Sequence, residues 1–281
     1  SSAASDVYKR QNKGTLGSLL CVCGSYGMAG AAVMSAKGAL RTGIGLAKCA
    51  LPRSIYPIVA QTILESVYYP LSENADGRIS KVNVPFLVSE SCKSSATLVG
   101  CGLGVCDDTL KIVFSLIEDS TTPLVLDADA LNCVAKQPEI LLRKKAPIII
   151  TPHPGEMSRL TGLATPLVNA ERERVALDFA QKYGVVTVLK GAGTVIASPN
   201  GKVLVNPTGN SGMATGGSGD VLTGIIAGLA AQGISVQEAA LAGVYMHGLA
   251  GDLASKGIIG MAAGEISQYL PQARRIIEQG E

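Results

Sequence analysis

Six short apolar runs recur along this chain, at residues 16–23, 55–61, 96–100, 123–127, 147–151 and 185–190, and each is continuous where a half-exposed strand would alternate. A strand apolar on both sides is buried on both faces, which points to a parallel sheet covered by helices. Segments with helical spacing lie between or after these runs, at 29–42, 108–118, 130–136, 166–183, 220–232 and 236–255. The alternation predicts an α/β fold, a three-layer sandwich with a mostly parallel central sheet and helices on both faces. Residues 194–197 and 202–205, separated by Pro199, Asn200 and Gly201, read as a hairpin added after the last parallel strand. Neither a repeat nor a compositional break divides the chain, so residues 12–281 are read as one domain.

Composition narrows the function classes. Lys and Arg number 24 against 22 Asp and Glu, a net charge of +2, and no basic face of the kind that grips nucleic acid by displacing counterions is visible. The longest apolar stretches, 28–40 and 221–231, are interrupted or bounded by Lys37, Arg41 and Gln232 and fall short of the roughly 18 residues that a membrane span needs. A soluble, cytoplasmic protein is expected. Its seven cysteines lack CxxC spacing and only two histidines accompany them, which predicts reduced, buried thiols and no structural zinc.

Residues 1–11, SSAASDVYKRQ, form a polar run with no apolar core, and so are no signal peptide. Within them, residues 6–11 resemble the translated mosaic end of a transposon-based sequencing adapter. They are read as a non-native tail without function, a disordered native terminus being the alternative.

In parallel α/β sheets, ligands bind outside the carboxyl ends of the strands, where loops enter helix N-termini. Glycine and polar residues crowd there: Gly24-Ser25-Tyr26-Gly27, Gly100-Cys101-Gly102-Leu103-Gly104, Asp127-Ala128-Asp129, Thr151-Pro152-His153-Pro154-Gly155-Glu156 and Lys190-Gly191-Ala192-Gly193-Thr194. Five strand ends are thus equipped for one site. The richest segment, NPTGNSGMATGGSGDVLTGIIAG, starts at Asn206. Gly216, Gly217, Ser218 and Gly219 let backbone N–H groups converge on an anion, and the helix beginning near Asp220 adds the positive end of its dipole. Asp220 is placed to act as general base toward a hydroxyl held there. Equally, it caps a buried helix whose glycines permit tight packing.

The lack of GxxxxGK[ST] excludes P-loop phosphoryl transfer, and GCGLG lacks the final glycine of a dinucleotide fingerprint. Lys190 either pairs with phosphate or is a solvated strand-end lysine, while Gly191 and Gly193 allow close approach of an adenosine moiety. His153, between two prolines, either faces a ligand or braces its loop, with Glu156 near the start of a short helix. Asp127 orients Mg2+-bound water or the helix start, and Asp129 is a candidate N-cap. His247 lies at helical spacing among apolar residues and reads as a satisfied core histidine.

Taken in order, KGTLG from Lys13, GSYGMAGAA from Gly24, ALRTGIGL from Ala39, GCGLG from Gly100, VLDADALN from Val125, TPHPGEMSRLTG from Thr151, VLKGAGTVIA from Val188 and the segment from Asn206 resemble one family. It is the ADP/ATP-dependent NAD(P)H-hydrate dehydratases of the ribokinase-like superfamily, and the resemblance runs from about Asn12 to the C-terminal helix. It implies a ribokinase-like fold and a hydro-lyase that returns the S epimer of hydrated NADH or NADPH (NADHX, NADPHX) to the reduced nicotinamide, spending a nucleotide phosphoanhydride. Asp220 is implied as the catalytic base that deprotonates the ring hydroxyl for attack on the terminal phosphoryl group. Gly216, Gly217, Ser218 and Gly219 are implied as the anion hole and Mg2+ as the cofactor.

By the family pattern, Lys190, Gly191, Ala192, Gly193, Thr194, Asn210 and Gly219 hold the nucleotide, while Ala31, Gly102, His153 and Asp220 face the hydrate. No residue is implied as a direct metal ligand. The histidine of TPHPGE implies ADP as co-substrate, with ATP the alternative, and AMP and phosphate as products. Relatives further imply a homotetramer, and an NAD(P)HX epimerase either fused upstream of Asn12 or separate. Cys101 stands where relatives often carry the proline of GPG, which alters loop stiffness more than chemistry. Two other readings compete: a ribokinase-like kinase of a hydroxymethylpyrimidine, thiazole or pyridoxal, and a non-catalytic nucleotide-binding protein.

Overall fold

A strand sends alternate side chains to opposite faces, and in this chain both sets are apolar. The computed structural model, which describes residues 16–255 and 260–279, assembles nine strands into one sheet in the order β3-β2-β1-β4-β5-β6-β7-β8-β9. They are β1 (Ser18–Val22), β2 (Leu46–Pro52), β3 (Val67–Leu71), β4 (Ala96–Val99), β5 (Leu124–Leu126), β6 (Ile148–Ile150), β7 (Val186–Leu189), β8 (Val195–Ala197) and β9 (Val203–Val205). Neighbours from β3 to β7 pair parallel, and β8 and β9 close the edge as an antiparallel hairpin. The tail at 1–11 and most of the KGTLG motif lie outside the described residues.

The helices are α1 (Ala29–Leu40), α2 (Tyr56–Thr62), α3 (Val84–Lys93), α4 (Asp107–Asp119), α5 (Asp129–Val134), α6 (Pro154–Thr161), α7 (Thr165–Ala170), α8 (Arg172–Tyr183), α9 (Ser218–Ala231), α10 (Val236–Ala254) and α11 (Ala263–Gln279). Leu19, Cys21, Leu98, Val125, Ile149 and Val188 pack with α1, α9, α10 and α11 on one face. Leu20, Val22, Val99, Leu126, Ile150 and Leu189 pack with α4, α5, α6 and α8 on the other. The expected three-layer sandwich is therefore observed, with both faces of the central strands removed from water and the edge strands β3 and β9 partly exposed.

Helix α9 is apolar all round because it is enclosed all round. A Cβ on Gly224 would lie 2.0 Å from the Ser35 carbonyl oxygen, and one on Gly38 would lie 2.5 Å from that of Val221, so α1 and α9 meet backbone to backbone. Close packing thus explains part of the glycine content.

Several expected elements differ. Residues 55–61 form the N-cap and body of helix α2 rather than a strand: Pro57 suits the first helical turn, and the run buries Ile55 and Val59, four residues apart, while Ile58 is exposed. The true second strand is β2, disguised by Lys48, whose ammonium reaches Glu90 at 3.6 Å, and beyond it lies β3, an edge strand that tolerates Pro70. The single helix expected over 166–183 breaks at Glu171 into α7 and α8. All seven cysteines are free, as expected, but Cys92 is exposed and Cys106 half-buried.

Candidate active site

The loops leaving β1, β4, β5, β6 and β7 converge on the N-terminus of α9. Gly217 is the N-cap at φ 93°, a left-handed conformation open to glycine at little cost, and no side chain caps the helix. The first N–H groups of a helix have no partner within it, so this end faces the strand ends as an anion-binding surface.

Asp220, in that first turn, lies beside Asp127 and Cys101; their carboxylate oxygens and the Cys101 Sγ are within 4.8 Å of one another. Burial, reinforced by the charge of Asp127, pushes the Asp220 carboxyl up to about 6, against the opposing pull of Cys101 and Lys190. A carboxylate so tuned is basic enough to accept a hydroxyl proton yet ionised at neutral pH.

Asp127 is the hub of the cluster. One carboxylate oxygen accepts from Lys190 Nζ at 2.7 Å and the other from Thr223 Oγ1 at 2.6 Å. Lys190 also lies 3.9 Å from Glu156, and its side chain is only 17% exposed, which removes the solvated-lysine alternative. Burial raises the Glu156 carboxyl to about 7, with Lys190 opposing and Asp127 adding to the rise.

For Mg2+, a hard cation that prefers oxygen, the cluster offers only its carboxylates, because burial and the hydrogen bond with Cys23 push the Cys101 thiol well up and keep it protonated. Both Asp127 oxygens are engaged already. Asp127 and Asp220 are the residues that would hold Mg2+ there, and the ion would supply positive charge against phosphate oxygens.

His153 splits its two ring nitrogens. Nδ1 accepts from the backbone N–H groups of Gly155 and Glu156, at 3.0 and 3.3 Å, and Glu156 Oε2 in turn accepts from the His153 N–H, a reciprocal cap on α6. The neutral ring therefore carries its proton on Nε2, and burial followed by the charges of Lys190 and Arg159 keeps it neutral by lowering its pKa. His153 braces its loop through one nitrogen and keeps a donor on the other.

A cavity of about 560 Å³ opens beside the cluster, lined by Lys190, Gly191, Ala192, Gly193, Thr194, Asn210 and Gly219. These are the seven residues expected to hold nucleotide, brought to one wall. The Asn210 side chain itself is committed elsewhere, donating to Asp252 and Ser255 and accepting from the Gly212 N–H. Ala31 and Gly102 meet each other: a Cβ on Gly102 would fall 2.8 Å from that of Ala31. The Ser25 hydroxyl holds the Gly102 carbonyl at 2.8 Å.

Sequence reasoning treated His247 as core, and it is buried, but it also lines this cavity, 3.4 Å from the Ser218 hydroxyl. Burial lowers its pKa to about 4, so it is a neutral group at the anion-binding end. Glu156 and Thr223 were likewise not read as part of the cluster. Nothing local distinguishes them, although the capping-box spacing of His153 and Glu156 was visible.

Comparison with known proteins agrees with this geometry. The model of the NAD(P)H-hydrate dehydratase family matches residues 19–272. The bifunctional NAD(P)H-hydrate repair enzyme of Moorella thermoacetica is 42% identical over 95% of this chain and 51% of its own length. The ADP-dependent (S)-NAD(P)H-hydrate dehydratase of Neisseria meningitidis is 38% identical over 94% of this chain and 86% of its own. The crystal structure of the ADP/ATP-dependent NAD(P)H-hydrate dehydratase of Bacillus subtilis, co-crystallised with ATP/Mg2+, superposes with a TM-score of 0.81 at 32% identity, covering 95% of this chain and 91% of that one. The chain spans about half the length of the bifunctional relatives it matches. In sequence and in fold, the chain belongs to the NAD(P)H-hydrate dehydratase family.

Proposed function

We propose that this chain is an ADP-dependent hydro-lyase that restores NADH or NADPH from the S epimer of its hydrate, releasing AMP and phosphate. The observation that carries the reading is Asp220, a carboxylate raised to about 6 in the first turn of α9, beside Asp127 and Cys101 and next in sequence to Gly219 of the cavity wall. Asp220 takes the proton of the ring hydroxyl, whose oxygen attacks the terminal phosphoryl group of ADP as the bond to the AMP oxygen breaks. N–H groups from Gly216 to Gly219 receive the charge that develops on the phosphoryl oxygens. Phosphate then leaves the ring carbon with its bonding pair while the proton on the neighbouring carbon passes to the departing phosphate, and the double bond returns. Bound Mg2+ supplies charge neutralisation of the phosphates. His153, a donor at Nε2, orients the hydrate rather than accepting its proton.

The relative named as ADP-dependent supports ADP as co-substrate, and the one named as ADP/ATP-dependent keeps ATP as a second donor. The same reading includes a homotetrameric assembly, a cytoplasmic location and, from relatives named as bifunctional, an epimerase acting in partnership.

The test supplies purified protein with a hydrate preparation, Mg2+ and either ADP or ATP, and follows the return of reduced-nicotinamide absorbance. Recovery is expected with AMP and phosphate in equal amounts from ADP, and with ADP and phosphate in equal amounts where ATP is used. Accumulation of a stable phosphorylated product without reduced nicotinamide would identify a small-molecule kinase instead.

A further inference from the structure

The turn from Lys190 to Ala192 lines the 560 Å³ cavity on its inner side. Ala192 and Gly193 also line a second cavity of about 710 Å³, on the outer side, which Arg172 borders. The first residue of the turn is anchored by the Lys190–Asp127 ion pair and by the Lys190 N–H donating to the Pro152 carbonyl at 2.8 Å, whereas beyond it the turn's own side-chain link is the Thr194 hydroxyl donating to the Gly191 carbonyl at 3.1 Å.

One side chain spans it from behind. Arg172, the first residue of α8, donates from Nη2 to the Leu189 carbonyl at 2.9 Å and to the Gly193 carbonyl at 3.3 Å, the residues on either side of the turn. Its Nη1 presses so closely on Gly191, at φ 149°, that a Cβ there would lie 2.5 Å away. We propose that Arg172 is a positioning residue that clamps the turn from Lys190 to Ala192 shut from its outer side, so that its inner face is ordered before nucleotide arrives. The two N–H groups of Nη2 are fixed in the guanidinium plane and point at the two carbonyls, so little rotamer freedom is lost per bond, whereas an ammonium on a flexible stem must be ordered to make both. Ordering the turn in advance removes that entropy cost from binding, so Arg172 acts on nucleotide affinity without touching the reacting atoms. The functional half of this inference rests on reading the inner cavity as the nucleotide site; the structural half does not.

The test uses the full chain with Arg172→Gln and Arg172→Lys. Amide hydrogen exchange without ligand is expected to quicken at residues 190–194 in Arg172→Gln while the central strands keep their protection. ADP binding by calorimetry and KM for ADP are expected to weaken about tenfold in Arg172→Gln and less in Arg172→Lys, with kcat and KM for the hydrate held within about twofold. Unchanged exchange at 190–194 overturns the clamp. Quickened exchange with unchanged ADP affinity overturns its functional role, as does a parallel loss of kcat and of both KM values. Wild-type protein that binds neither ADP nor ATP overturns the nucleotide reading while leaving the exchange result to decide the clamp.

Discussion

Lys190 Nζ lies 2.7 Å from Asp127 Oδ1, a buried ion pair between residues 63 positions apart. It sets the electrostatics of the site: Asp127 raises the Asp220 carboxyl and Lys190 lowers it. Lys190→Met leaves the first effect and removes the second. The acidic limb of the rate profile should then move above about 6, and nucleotide affinity should fall with the loss of a cation beside the phosphates. A pH–rate profile with an unmoved limb counts against the electrostatic account.

Asp220 must be ionised to accept a proton, so wild-type kcat/KM should rise through pH about 6 and level off above it. Asp220→Asn should lower kcat by about 100-fold or more while ADP still binds, measured by calorimetry beside the rate assay.

The same residue costs stability. A carboxyl whose folded pKa is about 6 against an ordinary 3.8 favours folding while protonated, and that contribution disappears as pH rises through this window. Asp220→Asn should therefore raise the melting temperature at pH 8, by up to about 3 kcal/mol of stability, with a gain that shrinks as pH falls from 6 toward 4. A variant no more stable than wild type at pH 8 contradicts the assigned burial.

His247 works in the opposite direction. Its folded pKa of about 4 lies below the ordinary 6.5, so the unfolded chain binds the proton first. Stability from this group is complete above pH 6.5 and falls as pH drops toward 4, by about 3 kcal/mol across the window. Wild type minus His247→Asn, by denaturant titration at several pH values, should isolate that slope, since the contributions of Asp220 and Glu156 are shared and cancel.

Alanine ordinarily stabilises a helix relative to glycine. At Gly224 it should instead destabilise by about 3 kcal/mol, because the Cβ would lie 2.0 Å from the Ser35 carbonyl oxygen. At Gly30, in the exposed first turn of α1 with nothing within 4 Å, the same change should stabilise by about 0.5 kcal/mol. Melting temperatures of the two variants should move in opposite directions.

The chain alone carried the architecture and the gathering of glycine and polar residues at five strand ends. Continuous apolar runs can be satisfied only between two helical layers, and glycine with polar residues at successive strand ends can serve only the edge where those strands terminate. The segment from Gly216 to Asp220 was legible because an anion-binding turn and the helix after it are contiguous in sequence. Tertiary structure decided what depends on residues far apart. It paired Lys190 with Asp127, brought Glu156 and Thr223 to the same cluster, gave His153 a cap on Nδ1 and set its Nε2 3.5 Å from Glu156 Oε1, and placed Arg172 behind the turn that begins at Lys190. It also converted residues 55–61 from an expected strand to α2. The physical reason is one of range: periodicity reports which faces of an element are buried, whereas the partner of a buried charge is set by the order in which strands join the sheet.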